Sequence, residues 1–272
     1  MESLDSAPSV ADKRLGAIYV YPIKSLDRLE LSAVSLGPGN SLLNDRRFAI
    51  RNAHGVLVNG KRNPFVHRLR CRFANDASTV FINSELSGRS GEFELSIGND
   101  NLNAFLSSHF CEDVTLIEDV GGRFLDDPDD SAITLISEET LRVIADWYHL
   151  VNVDEATRRL RPNLVMTGFS AFEEDSLSLD TDVGCEFRLG ALSWRAIKTC
   201  PRCVVPSRHP DTAAVLTGFQ KTFVENRSAY RHASELEVAT GHLYHASVCC
   251  IPAHRTGADN SLVLGDVFSL LS

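Results

Sequence analysis

The chain has 272 residues, 43% hydrophobic and 23% charged, enough for one large domain or two interleaved ones with a full core. Its formal net charge of -9 argues against general nucleic-acid binding, which needs a basic field to displace counterions, so any anion site must be a local basic pocket. Seven cysteines, an odd and scattered set, do not make a disulfide framework and point to a reducing compartment.

Residues 1–13 are polar and rich in Ser, Asp and Ala, and read as a disordered tail rather than a secretory signal. No run approaches the ~18 apolar residues of a membrane span, and a cytoplasmic location is expected. Residues 15–21 make the first strand, stopped by Pro22, which leaves Lys24 and Ser25 at a strand-to-loop corner. Alternation over 31–36 reads as a half-buried strand, and Gly37-Pro38-Gly39-Asn40 as a turn. Residues 47–50 and 56–58 read as a hairpin opened by Asp45-Arg46-Arg47. Short strands at 69–73, 79–82, 92–97 and 114–117, with a helix over 101–110, suggest a barrel or sandwich in the first half.

Residues 121–130 are loop-like and acidic; Asp126, Asp127, Asp129 and Asp130 lack the Gly turn and closing Glu of a calcium loop, so the segment reads as a solvated linker. A strand over 131–136 leads into a helix begun by Ser137, with Glu138 and Glu139 at the positive end of its dipole. Leu141, Ile144, Ala145 and Tyr148 form its apolar stripe. Arg158, Arg159 and Arg161 then gather three guanidinium groups before a strand at 164–167. Pro162 disfavours the helical region at Arg161, which is expected to enter that strand extended and to suit bidentate phosphate binding. An apolar run over 187–197 reads as one strand carrying Lys198-Thr199-Cys200-Pro201-Arg202-Cys203 at its mouth. Residues 213–225 read as a helix, 226–237 as a loop, and 245–251 and 261–271 as closing strands, the last broken at Gly265-Asp266.

The pair Cys200 and Cys203 has several chemical readings. Structural zinc needs four ligands, and no second Cys-x-x-Cys exists; adjacent Cys249-Cys250 is a poor chelate. A thioredoxin-type couple belongs after a first strand, at the start of a helix, whereas this pair follows a late strand. A third reading makes one thiolate the ligand of a softer redox metal, with basic residues holding an anionic cofactor. Two inert buried thiols are the plain alternative, and Lys198 and Arg202 nearby speak against it.

Five segments carry a resemblance. Tyr19-Val20-Tyr21-Pro22-Ile23-Lys24-Ser25, Asn44-Asp45-Arg46, Leu135-Ile136-Ser137-Glu138, Arg161-Pro162-Asn163-Leu164-Val165, and Arg202-Cys203 followed by His209-Pro210-Asp211-Thr212 stand in the order and approximate spacing of MOSC-domain proteins. The chain resembles the branch that contains the mitochondrial amidoxime-reducing components and their bacterial relatives. The resemblance implies an α+β fold: an N-terminal, mostly antiparallel β-barrel domain (14–120) packed on a β-barrel-like MOSC domain with a few helices (121–272). It implies a molybdenum cofactor, Mo-molybdopterin, with Cys203 as metal ligand, Pro201 and Arg202 flanking it, and Lys24, Ser25, Arg46, Ser131 and Arg161 holding the pterin and its phosphate. Three positions depart from the family: Asp130 for a Thr, Leu243 for a Tyr, and Pro201 for a Ser.

The implied activity is reduction of small N-oxygenated substrates (amidoximes, hydroxylamines, N-oxides) by oxygen-atom abstraction at the Cys-ligated metal. The alternative is a sulfur (persulfide) or cofactor carrier. Without a ferredoxin-like cysteine cluster, the chain is expected to draw electrons from a separate donor, a flavoprotein, a b-type cytochrome or a ferredoxin. His209, Asp211 and Asp130 are candidate acids.

Overall fold

In chain order the elements are β1 (Arg14–Val20), β2 (Leu29–Leu31), β3 (Ala33–Ser35), β4 (Phe48–Asn52), β5 (Leu69–Phe73), β6 (Thr79–Ser84), β7 (Ser90–Glu94), α1 (Asp100–Phe110) and β8 (Val114–Glu118). Then follow β9 (Ile133–Ser137), α2 (Glu138–Trp147), α3 (Val153–Leu160), β10 (Leu164–Thr167), α4 (Ser176–Leu179), β11 (Glu186–Leu189), β12 (Leu192–Pro201), α5 (Phe219–Arg227), α6 (Ala233–Thr240), β13 (His245–Pro252), β14 (Ser261–Val263) and β15 (Phe268–Leu270). The structure, a computed structural model, describes residues 12–121, 124, 133–179, 184–253 and 260–271.

An eight-stranded sheet in the order β15-β11-β12-β13-β9-β10-β1-β2 organises the molecule. Its single parallel pair is β9–β10, and the crossover between them carries α2 and α3, the long connection that parallel neighbours require. Both faces are covered. One buries Leu15, Ile18, Leu135, Phe187, Trp194 and Val248; the other packs Tyr21, Ile136, Leu141, Phe172, Phe223 and Tyr244 beneath the helices. Two-sided burial explains why β13 reads as an almost unbroken apolar run.

A separate core gathers Ile23, Phe48, Leu69, Val80, Leu102 and Phe105 between the β5-β6-β7 sheet, the β4–β8 pair and α1. β1 and β2, from the first thirty-one residues, complete the large sheet of the second half, and β3 pairs with β14 near the other end of the chain. The mixed α+β class therefore holds, but among the described residues no sheet closes into a barrel. No helix among them is long and apolar enough to cross a membrane.

Four local expectations are corrected. The run at 187–197 is a hairpin, β11 and β12, turned at Gly190 with φ 60°, where an added Cβ would lie 2.5 Å from the Asp266 carboxylate; apolar patterning does not register such a turn. Arg161 is not extended. It closes α3 in the left-handed conformation (φ 56°, ψ 49°), its N–H bonded to Thr157 O at 2.7 Å, because Pro162 bars the right-handed region but not this exit. The helix expected from 213 begins at Phe219, after Gly218 at φ 77°. The loop expected at 226–237 instead contains the end of α5 and the start of α6.

Candidate functional site

β12 delivers the cysteine pair. Its pairing with β13 slips between Thr199 and Pro201, and Pro201, opposite His245, ends the strand where no ladder donor is needed. Pro201 is exposed and does not line the cavity described below. Past it, Arg202 N–H bonds Tyr244 O at 3.0 Å, and Tyr244 Oη donates to Cys203 O at 3.1 Å. Burial pushes the Tyr244 phenol up to about 12, so it keeps the proton that fixes Cys203.

Facing this strand end is the corner after β1. Lys24 N–H bonds Phe48 O at 2.7 Å, and its Nζ donates to Phe124 O at 2.6 Å. Ser25, Arg46 and Arg161 all have positive φ (73°, 49° and 56°), a conformation costly for residues with a Cβ and concentrated at functional sites. Arg46 bonds the buried Asp45 carboxylate and Asn163 Oδ1, and its guanidinium lies 4.8 Å from the Tyr21 ring. Arg161 lies 4.0 Å from the same ring and donates to Leu26 O at 2.8 Å. Burial holds the Arg161 pKa below its ordinary value, a desolvation that an anion would relieve.

Lys24, Ser25, Arg46, Arg161, Arg202 and Cys203 line one cavity of about 540 Å³, within the usual size of small-molecule sites. Eleven lysines and arginines line it against two aspartates, in a chain of net charge -9. This is the local basic pocket that composition required. Arg28 Nη1, Arg161 Nη2, Arg202 Nε and Arg208 Nε are buried with no hydrogen-bond partner among the described residues. Buried guanidinium donors left unpaired are costly, and an anionic, oxygen-rich ligand satisfies them. The residues present thus fit a phosphorylated anion, with the Cys203 thiol, a side chain of the kind that suits a soft metal, on the same cavity. Of the other residues the resemblance assigned, Ser131, like Asp130, lies outside the described residues.

Sequence reasoning left the role of Cys200 open. Arg202 Nη1 lies 3.2 Å from its Sγ, and the hydrogen bond from the Cys249 thiol draws Cys200 down to about 5, helped by the charge of Arg202 against the opposing effect of burial. Cys249, pushed far up by that same bond and by burial, remains the donor. The strand register, Lys198 opposite Cys249, creates this meeting, and no spacing in the sequence signals it. Tyr244, Arg28 and Cys249 were missed for the same reason. No two cysteines are joined in a disulfide, and no cluster of three metal-ligating side chains occurs, among the described residues.

His209 and Asp211, two of the candidate acids, are held in local contacts. Asp211 is gripped by Arg70 and Arg158; burial alone would raise its carboxyl, but the Arg158 bond and both charges hold it below its ordinary value. His209 Nδ1 accepts the Asp211 and Thr212 N–H groups at 3.1 and 3.3 Å, closing the turn. The motif is a clamp between β5, α3 and the loop after Cys203.

Residues 12–113 match the MOSC N-terminal beta barrel domain, and residues 118–246 match the MOSC domain. Among curated proteins the chain is 25% identical to mitochondrial amidoxime reducing component 2 of Bos taurus, with 79% of this chain and 71% of that protein covered. It is 22% identical to molybdenum cofactor sulfurase of Oryza sativa subsp. japonica across 78% of this chain, and spans only 30% of that longer protein. A 33% identical stretch of mitochondrial amidoxime reducing component 2 of Rattus norvegicus covers 38% of this chain and 27% of that protein.

Proposed function

The chain belongs to the MOSC-domain family whose members carry an N-terminal β-barrel domain, and on that premise we propose that it holds a molybdenum cofactor in the basic cavity and reduces N-hydroxylated compounds there. The observation that carries this reading is the set of unpaired buried guanidinium donors around a cavity edged by Cys203. The names of the bovine and rice relatives, an amidoxime reducing component and a molybdenum cofactor sulfurase, support the cofactor class. In this reading residues 14–120 and 121–272 are the two domains, with β1 and β2 lent by the first to the sheet of the second.

Bound there, the cofactor supplies two-electron reduction of an N–O bond. The chain supplies the rest. Cys203 is the metal ligand, as thiolate, and Tyr244 fixes its backbone. Arg161, Arg202 and Arg28 offer their unpaired N–H groups to phosphate and pterin oxygens, and Lys24, Ser25 and Arg46 line the same cavity. A neutral amidoxime plus two electrons and two protons yields an amidine and water, the electrons coming from a separate donor protein: a flavoprotein, a b-type cytochrome or a ferredoxin.

One observation favours a second reading, transfer of sulfur by a persulfide: the acidic Cys200 thiol beside Arg202, three residues from Cys203. Metal analysis of protein made in a molybdopterin-competent host separates the two. Near-stoichiometric molybdenum in the wild type, lost in Cys203→Ala, supports the reductase. Molybdenum absent from both, with a persulfide found by mass spectrometry, favours the carrier and sinks the reductase.

A further inference from the structure

Besides Cys203, the basic cavity is lined by two further thiols that bear on its chemistry, Cys200 and Cys249. Lys198 stands opposite Cys249 in the β12–β13 ladder, so Cys200, two residues on, shares its sheet face and lies diagonal to Cys249. The ladder slips between Thr199 and Pro201, and Ser247 on the facing strand takes φ 70°, a bulge where the two strands carry these sulfurs. There the Cys249 thiol donates a hydrogen bond to Cys200 Sγ, which also lies 3.2 Å from Arg202 Nη1. Cys250, the next residue, is wholly buried in the core. A sulfur bonded by a guanidinium and by a second thiol is held as a thiolate, with a proton-bearing thiol in contact.

We propose that Cys200 and Cys249 are a peroxide-reactive couple, Cys200 the attacking thiolate and Cys249 the resolving thiol, whose oxidation strengthens the hold of Arg202 on anions in the cavity. In the first step the Cys200 sulfur attacks one oxygen of hydrogen peroxide; an S–O bond forms, the O–O bond breaks and hydroxide leaves. In the second the Cys249 sulfur displaces hydroxide from the Cys200 sulfenic acid, and the Cys249 proton leaves with it as water. The two sulfurs give up two electrons, and the peroxide accepts them. Reduced, Cys200 sets a negative charge against Arg202, which opposes any anion that Arg202 draws in. Oxidised, the sulfur is neutral, and Arg202 Nη1 is released beside an Nε that already lacks a partner. The couple requires neither a bound metal nor a transferable sulfur.

The test uses the full chain made in a host without molybdopterin synthesis, with inorganic phosphate as the anion probe. After hydrogen peroxide and blocking of remaining thiols, trypsin places Cys200 in peptide 199–202, Cys203 in 203–208, and Cys249 with Cys250 in 232–255. Mass spectrometry then reads which peptides are joined. We expect 199–202 linked to 232–255, the link reversed by dithiothreitol and absent from Cys249→Ser, where dimedone traps the Cys200 sulfenic acid. By calorimetry, phosphate should bind the oxidised wild type about fivefold more tightly than the reduced, the effect of one unit charge nearby. Cys200→Ser should match the oxidised protein without peroxide. Thermal melting checks that both serine variants fold, and the wild-type linkage and phosphate readings stand without them. A link from 199–202 to 203–208, a link that survives Cys249→Ser, or no link at all overturns the couple. Equal phosphate binding by the oxidised and reduced wild type overturns its hold on Arg202.

Discussion

At the scale of single residues, the site concentrates backbone strain. Ser25, Arg46 and Arg161 hold left-handed conformations that cost a residue with a Cβ about 1–2 kcal/mol each. Such strain persists where the surroundings over-determine it, and here each residue turns its side chain toward one cavity. Ser25→Gly relieves it, and the protein should melt about 2–4 °C higher by scanning calorimetry, the response of a chain this size to ~1 kcal/mol. If the Ser25 hydroxyl serves the cofactor, molybdenum retention should fall in that same variant. Stability and retention moving in opposite directions would identify functional strain; both rising would assign Ser25 to the turn alone.

At the scale of elements, two junctions position the site. Ser137 caps α2: its buried Oγ accepts from Thr140 N–H at 2.9 Å and lies 2.9 Å from Thr140 Oγ1, which in turn bonds Glu174 at 3.1 Å. Ser137→Ala removes the cap inside a buried network and should cost about 1–2 kcal/mol in urea unfolding, with little change in m. The second junction is Asp211, which joins Arg70 of β5 to Arg158 of α3 across the cavity wall. Asp211→Ala leaves two half-buried guanidiniums facing each other. We expect weaker cofactor retention and a loss of stability of about 1–3 kcal/mol, and Asp211→Asn should recover part of both. Retention equal to wild type in Asp211→Ala would show that the clamp does not shape the cavity.

At the scale of the whole molecule, charge is uneven: eleven lysines and arginines line one cavity of a chain whose net charge is -9, so the acidic excess lies elsewhere. Beneath α2 and α5 lies a buried cluster in which Asp175 pairs with the fully buried Arg227 and Glu174 sits beside them. Burial pushes Glu174 up to about 7 from an ordinary 4.5, with the neighbouring Asp175 charge adding to it; burial also raises Asp175 to about 6, against the pull of Arg227. Between pH 4.5 and 7 the folded protein retains protons on these groups that the unfolded chain has released. Their contribution to stability therefore falls as pH rises through that window. The melting temperature should decline from pH 5 to pH 7, and the decline should flatten in Glu174→Gln. An equal slope in the variant would assign the effect to other groups.

Periodicity and caps made much of the local structure legible. The short strands around β5, β6 and β8, the helix α1 and the Ser137 start of α2 follow from alternation, a 3.6-residue stripe and side-chain capping, all short-range. The motifs also ordered the basic residues along the chain, and net charge implied a local pocket. Long-range pairing had to decide the rest. That β1 and β2 complete the large sheet, that the β12–β13 register sets Cys249 beside Cys200, and that Asp211 is a clamp all arise between residues far apart in sequence, where spacing carries no signal. Arg161 shows the division at one position. Pro162 rules out the right-handed helix there by local sterics, but only the packing of α3 against Tyr21 and Leu26 chooses the left-handed turn that aims the guanidinium into the cavity.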